Sequence, residues 1–122
     1  MNTILIVEDD RNLLQLYTAE LEGEGYRVLA ASDGNKAKEA VAREAPDLIV
    51  MDIRMPDKDG VDVMSEILQE HGRIPIILNT AYASYQDDFL TWAADAYIIK
   101  SADLGPLKAK IRELLNRSFA SK

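Results

Sequence analysis

Leu48-Ile49-Val50-Met51-Asp52-Ile53-Arg54-Met55-Pro56 is the stretch on which the reading of this chain turns. Four apolar residues run into a carboxylate, and a proline breaks the chain shortly after. An unbroken apolar run of this length suits a strand covered on both faces. A carboxylate at the carboxyl end of such a strand faces the crevice where open α/β sheets do their chemistry. The arrangement recurs twice more. Ile4-Leu5-Ile6-Val7 leads into Glu8-Asp9-Asp10, and Tyr97-Ile98-Ile99 leads into Lys100. Acids, an acid and a lysine thus reach one end of one sheet, the outline of a metal-assisted phosphoryl site.

Outward from these runs, short apolar segments alternate with amphipathic ones. The spacing predicts strands over Thr3–Val7, Arg27–Ala31, Asp47–Met51, Pro75–Leu78 and Ala96–Ile99. Between them, helical periodicity places Leu13, Leu14, Tyr17 and Leu21 on one face, then Ala37, Ala40, Val41 and Ala45, then Val63, Met64, Ile67 and Leu68. Phe89, Leu90, Ala93 and Ala94 predict a shorter fourth helix; Leu104, Leu107, Ile111, Leu114 and Leu115 predict a fifth. Asp33 and Asp103 suit helix N-caps, Pro46 stops the second helix, and Pro106 is tolerated in a first turn. Five β-α units predict a single α/β domain over residues 1–122, a doubly wound parallel sheet of flavodoxin-like order 2-1-3-4-5 with five helices. Residues 118–122 read as a frayed tail or linker stub.

Composition narrows the function. The 122 residues suffice for one domain with its own core, and 48% hydrophobic with 29% charged residues suits a globular chain. No apolar run approaches the ~20 residues of a membrane span, and Met1-Asn2-Thr3 lacks the basic start of a secretory signal. There are no cysteines, so disulfide and thiol chemistry are excluded, and a cytoplasmic location is expected. The net charge of −7 argues against direct nucleic-acid contact, which normally needs a basic patch. Lys108, Lys110, Arg112 and Arg117 read as the solvated face of the last helix.

In order 2-1-3-4-5 the first and third strands are neighbours, so Glu8, Asp9 and Asp52 converge. Converging carboxylates repel, and three of them with Lys100 sum to −2, which one divalent cation would offset. An all-oxygen donor set suits Mg²⁺, or Mn²⁺, better than zinc, and the only histidine, His71, lies near a helix end. Asp52 would then be the nucleophile, attacking phosphorus to give an acyl phosphate. Lys100 would offset charge on the transferring oxygens, and Thr80 at the end of the fourth strand offers a hydroxyl to a phosphoryl oxygen once one is present.

From Ile4 to Leu115 the chain resembles the receiver domains of two-component response regulators. Glu8 and Asp9 match the family's acidic pair, Asp52 its phosphoacceptor, and Met55-Pro56 with Asp59-Gly60 the loop that follows. The resemblance implies that Asp9 touches a metal, that Glu8 holds it partly through water, and that Arg54 lends it a backbone carbonyl. It also implies that Thr80-Ala81 is the switch hydroxyl with its small neighbour, and Tyr97 the switch aromatic. The implied function is acceptance of a phosphoryl group from a histidine kinase or phosphotransfer protein, with slow self-dephosphorylation and no other enzymatic activity. A partner, or a second copy in a homodimer, would dock on the fourth helix, fifth strand and fifth helix.

Two neighbouring readings differ in kind. A haloacid-dehalogenase-like phosphatase would carry a second Asp two residues after the nucleophile, where this chain has Arg54. A phosphorylation-independent interaction module would typically have lost acids or the lysine, and none is lost here. One departure from the receiver pattern is clear: Ser101 follows Lys100 where the family usually has proline. A cis Lys–Ser bond costs about 2.5–4 kcal/mol, against roughly 0.5–1 before proline, so a trans Lys100–Ser101 peptide is expected, with Lys100 still directed at Asp52.

Overall fold

The computed structural model describes residues 1–55, 59–72, 74–81 and 94–120. The element order is β1 (Thr3–Val7), α1 (Arg11–Gly23), β2 (Arg27–Ala31), α2 (Gly34–Glu44), β3 (Leu48–Met51), α3 (Gly60–His71), β4 (Ile76–Thr80), β5 (Ala96–Ile99) and α4 (Gly105–Ala120). All strand pairs are parallel and the sheet order is β2-β1-β3-β4-β5, as expected.

Three boundaries differ from the sequence reading. β3 starts at Leu48, and Asp47 just before it accepts the Thr3 N–H at 2.7 Å through its side chain. β4 starts at Ile76 rather than Pro75 and runs on to Thr80, since pairing with β5 continues through Asn79↔Ile98 and Thr80↔Ile99. The last helix spans Gly105–Ala120. Four helices, not five, stand among the described residues. Of the expected fourth helix, Phe89, Leu90 and Ala93 lie outside the described residues, and Ala94 packs against the core.

Local chemistry explains where the helices begin and end. Asp10, Asp33 and Asp59 are N-caps whose carboxylates accept from Asn12 and Leu13, from Lys36, and from Val61. This satisfies amides that have no partner inside the helix. α2 ends as Pro46 requires. The residue before a proline is disfavoured in the α region, and Ala45 turns left-handed at φ 45° while its N–H bonds Val41 O at 3.1 Å. Asp103 accepts the Gly105 N–H at 2.9 Å, steadying the start of α4 from just ahead of it.

The sheet divides the core into two layers. On one face Leu5, Val7, Ile49, Met51, Ile76 and Leu78 pack against α2 and α3. On the other Ile4, Ile6, Leu48, Val50 and Ile77 pack against Tyr17 and Leu21 of α1 and Leu107, Ile111, Leu114 and Leu115 of α4. Ion pairs Lys108–Glu20 at 3.5 Å and Arg112–Glu24 at 3.6 Å join α4 to α1 at the surface, where such pairs contribute little. Burial of both sheet faces is what the unbroken apolar runs required.

Candidate functional site

The alternation of side chains along a strand decides which residues meet at the carboxyl end. Glu8 lies two residues past Ile6, Asp52 two past Val50 and Lys100 two past Ile98, so all three leave the sheet on its α1/α4 face. Backbone hydrogen bonds continue beyond the strands and fix each position. Glu8 N–H bonds Ala31 O at 3.0 Å, Asp52 N–H bonds Val7 O at 3.0 Å, and Lys100 N–H bonds Thr80 O at 2.7 Å. The site therefore rides on the sheet itself, not on a free loop.

Lys100 bridges the acids. Its Nζ lies 3.0 Å from Asp52 Oδ2 and 2.5 Å from Glu8 Oε1. The pairing with Asp52 was expected; the closer one with Glu8 was not legible in the sequence. Glu8 is 2% exposed, and burial raises its pKa from 4.5 to about 7. The Lys100 hydrogen bond and the Asp10 N–H pull it back down, while the Asp52 charge pushes it further up. Burial alone would lower the Lys100 pKa, but the two carboxylates outweigh it and hold the ammonium above its usual value. The lysine is thus firmly charged.

Asp9 is exposed, yet it completes a cluster. One carboxylate oxygen each from Glu8, Asp9 and Asp52 lie within 4.8 Å of one another. Three hard oxygen donors around a point of excess negative charge fit a divalent cation such as Mg²⁺. Arg54 follows Asp52 by two residues and is exposed. His71 ends α3, away from the cluster, with Nε2 3.7 Å from Glu70.

Thr80 is fully buried at the end of β4. Its parity with Leu78 puts it on the α2/α3 face, and Tyr97 packs into that same layer, paired in register with Leu78. Thr80 and Tyr97 therefore share one face of β4 and β5, two register steps apart. Pro56, of the loop expected after Asp52, lies outside the described residues. The Lys100–Ser101 peptide is trans, as expected, and Lys100 still reaches Asp52.

Gly60 was read only as part of a turn, and its role is larger. A Cβ at this position would stand 2.1 Å from Asp52 O and 2.8 Å from Ile53 Cα, while its N–H bonds Ile53 O. The first turn of α3 thus presses directly on the backbone of the nucleophile candidate. Asp59-Gly60 was the available signal. Two further residues were not read as part of the site: Asn79, buried at the end of an apolar strand, and Tyr17, expected only on a packing face, whose hydroxyl bonds it from α1.

Comparison with known proteins agrees with this geometry. Residues 4–112 match the family model described as the response regulator receiver domain. The transcriptional regulatory protein CpxR of Klebsiella pneumoniae is 41% identical over 123 residues, covering 99% of this chain and 52% of CpxR. The chain thus spans about half the length of the curated relatives it matches. Among solved structures, response regulator TrrA of Thermotoga maritima, in complex with Mg²⁺-BeF, superposes with a TM-score of 0.90 at 38% identity, covering 93% of this chain and 99% of TrrA. TrrA in complex with the histidine kinase ThkA gives 0.89 at 39% identity, covering 94% and 99%. With the sheet order, the acid cluster, the bridging lysine and the family match in agreement, the chain belongs to the response regulator receiver domains of two-component systems.

Proposed function

We propose that Asp52 is the phosphoacceptor of this receiver. The observation that carries the reading is Lys100 Nζ held between Asp52 Oδ2 and Glu8 Oε1 beside the three-carboxylate cluster. An Asp52 oxygen attacks the phosphorus of a donor. The new O–P bond forms as the bond from phosphorus to the donor atom breaks, and the donor leaves with the electron pair, taking any proton it needs from solvent. Lys100 stabilises charge on the phosphoryl oxygens, and having a positive charge already aimed at the site avoids reorganisation during the reaction. Mg²⁺, held by Glu8, Asp9, Asp52 and the Arg54 carbonyl, would supply further neutralisation of those oxygens; Mn²⁺ fits the same donor set. Later attack by water on the acyl phosphate releases inorganic phosphate and restores Asp52, slowly because no carboxylic acid stands at position 54 to assist.

The physiological donor is a histidine kinase or phosphotransfer protein, which the TrrA–ThkA complex supports by analogy. The reaction belongs in the cytoplasm, and no helix among the described residues is long and apolar enough to cross a membrane. Once a phosphoryl group is present, Thr80 gains an acceptor, and its inward move vacates space for Tyr97. The surface of β5 and the C-terminal helix then changes and takes a partner or a second copy, while the fourth-helix part of the expected docking face lies outside the described residues. CpxR and other relatives are called transcriptional regulators, and the receiver part has no need to touch DNA itself. Incubation with acetyl phosphate and Mg²⁺, followed by intact-mass measurement, tests the reading. A lasting single phosphoryl adduct supports it, sustained phosphate release without adduct points to a phosphatase, and no reaction to a phosphorylation-independent module.

A further inference from the structure

Asn79 and Tyr17 are buried polar side chains beside the site that the chemistry above leaves unused. They are 4% and 3% exposed, and the Tyr17 hydroxyl is hydrogen-bonded to the Asn79 side chain. The preceding residues of β4, Ile76, Ile77 and Leu78, are apolar and fully buried. A buried amide and hydroxyl that satisfy each other contribute little more than an apolar pair of similar shape, while losing either partner costs about 1–3 kcal/mol. Packing alone would be served as well by two apolar side chains.

Position supplies the reason for a polar pair. Asn79 shares the α1/α4 face with Ile77 and lies one step beyond the Met51↔Leu78 pairing, next to Asp52 on the adjoining strand. On its other side it pairs with Ile98, two residues before Lys100 and on the same face. Lys100 starts on the edge strand β5, yet its Nζ meets Asp52 after β3 and Glu8 after β1. To get there the lysine must cross the end of β4 on the face from which Asn79 projects. The charges of Lys100, Glu8 and Asp52 all reach the Tyr17 phenol, whose pKa is raised, chiefly by burial.

We propose that Asn79, clamped by the Tyr17 hydroxyl, is a positioning residue that sets the path of Lys100 across β4 and hence the placement of its ammonium at Asp52. The inference rests on the reading of Asp52 as phosphoacceptor. The test uses the full chain, with acetyl phosphate as donor, and the variants Tyr17→Phe, Asn79→Leu and the double variant. Each single variant should form adduct roughly tenfold more slowly at saturating donor, since small misplacements of catalytic groups are costly. Mg²⁺ affinity, set by Glu8, Asp9 and Asp52, should stay unchanged. The double variant replaces both polar partners with apolar groups, so it should regain wild-type stability. It should nevertheless remain as slow as the singles. Single variants that react at the wild-type rate, or a double variant whose rate recovers together with its stability, would overturn the positioning role. A wild-type chain that forms no adduct instead removes the phosphoacceptor reading, and this inference with it.

Discussion

The two faces of the sheet follow the same alternation and end differently. On the α2/α3 face the apolar series Leu5, Val7 and Ile49, Met51, Ile53 continues to the last described step. On the α1/α4 face Ile4, Ile6 gives way to Glu8, Leu48, Val50 to Asp52, Ile77 to Asn79, and Ala96, Ile98 to Lys100. One face stays apolar along β1 and β3 and ends β4 with the buried Thr80; the other turns polar or charged at its final residue on every inner strand and on β5. Binding chemistry is thereby added at the rim without interrupting the packing beneath it. Stability and reactivity should accordingly be separable by face.

The sharpest test pairs one substitution from each. Asp52→Asn keeps the shape and leaves Lys100 its Glu8 partner, so phosphoryl adduct should vanish in intact-mass spectra while the unfolding midpoint holds. Ile49→Ala, at a fully buried position on the opposite face, should cost about 2–5 kcal/mol in urea unfolding, with the folded fraction still forming adduct. If Asp52→Asn unfolds the chain, or Ile49→Ala abolishes adduct in folded protein, the division by face is wrong.

Gly60→Ala should breach the division, because Gly60 abuts the Asp52 carbonyl from α3. A methyl group there must displace backbone, so a loss of about 1–3 kcal/mol together with slower adduct formation is expected. Unchanged stability would mean that the loop before α3 yields freely.

The charged face should also carry a pH signature. The folded-state pKa of Glu8 is raised from 4.5 to about 7, so the fold favours the protonated form. Its contribution to stability is fully present below pH 4.5 and is lost as pH rises towards and through 7. Metal-free protein should lose up to about 3 kcal/mol from this group across that window, and Glu8→Gln should flatten the slope. If the ionised cluster is the Mg²⁺ site proposed above, saturation at ~100 times the dissociation constant should restore about 2.7 kcal/mol above pH 7 and less below pH 5. Urea titrations at several pH values, with and without Mg²⁺, decide this. A slope that Mg²⁺ leaves untouched would detach Glu8 from the metal site.

The smallest effect belongs to Thr80→Ala. Removing one hydroxyl should leave the Asp52 adduct forming while its coupling to association is lost, as read by light scattering with and without beryllofluoride. A wild-type shift in association would exclude Thr80 from the switch.

Much of this organisation was legible in the residue string. Unbroken apolar runs mark strands covered on both faces, and helical spacing with Asp caps marks what covers them. Glu8, Asp9, Asp52, Thr80 and Lys100 stood out because each lies at or just past the end of such a run. These are local signals, carried by neighbours within a few positions. What only the tertiary structure decided involves partners far apart in sequence. Lys100 divides itself between Glu8 and Asp52, 92 and 48 residues away, Gly60 presses on the Asp52 backbone, and Tyr17 reaches Asn79. Strand order and side-chain reach fix those meetings, and burial, with the Asp52 charge beside it, raises the Glu8 pKa well above that of an ordinary acid. A sequence specifies which groups stand at strand ends; the packed sheet decides which of them share a charge.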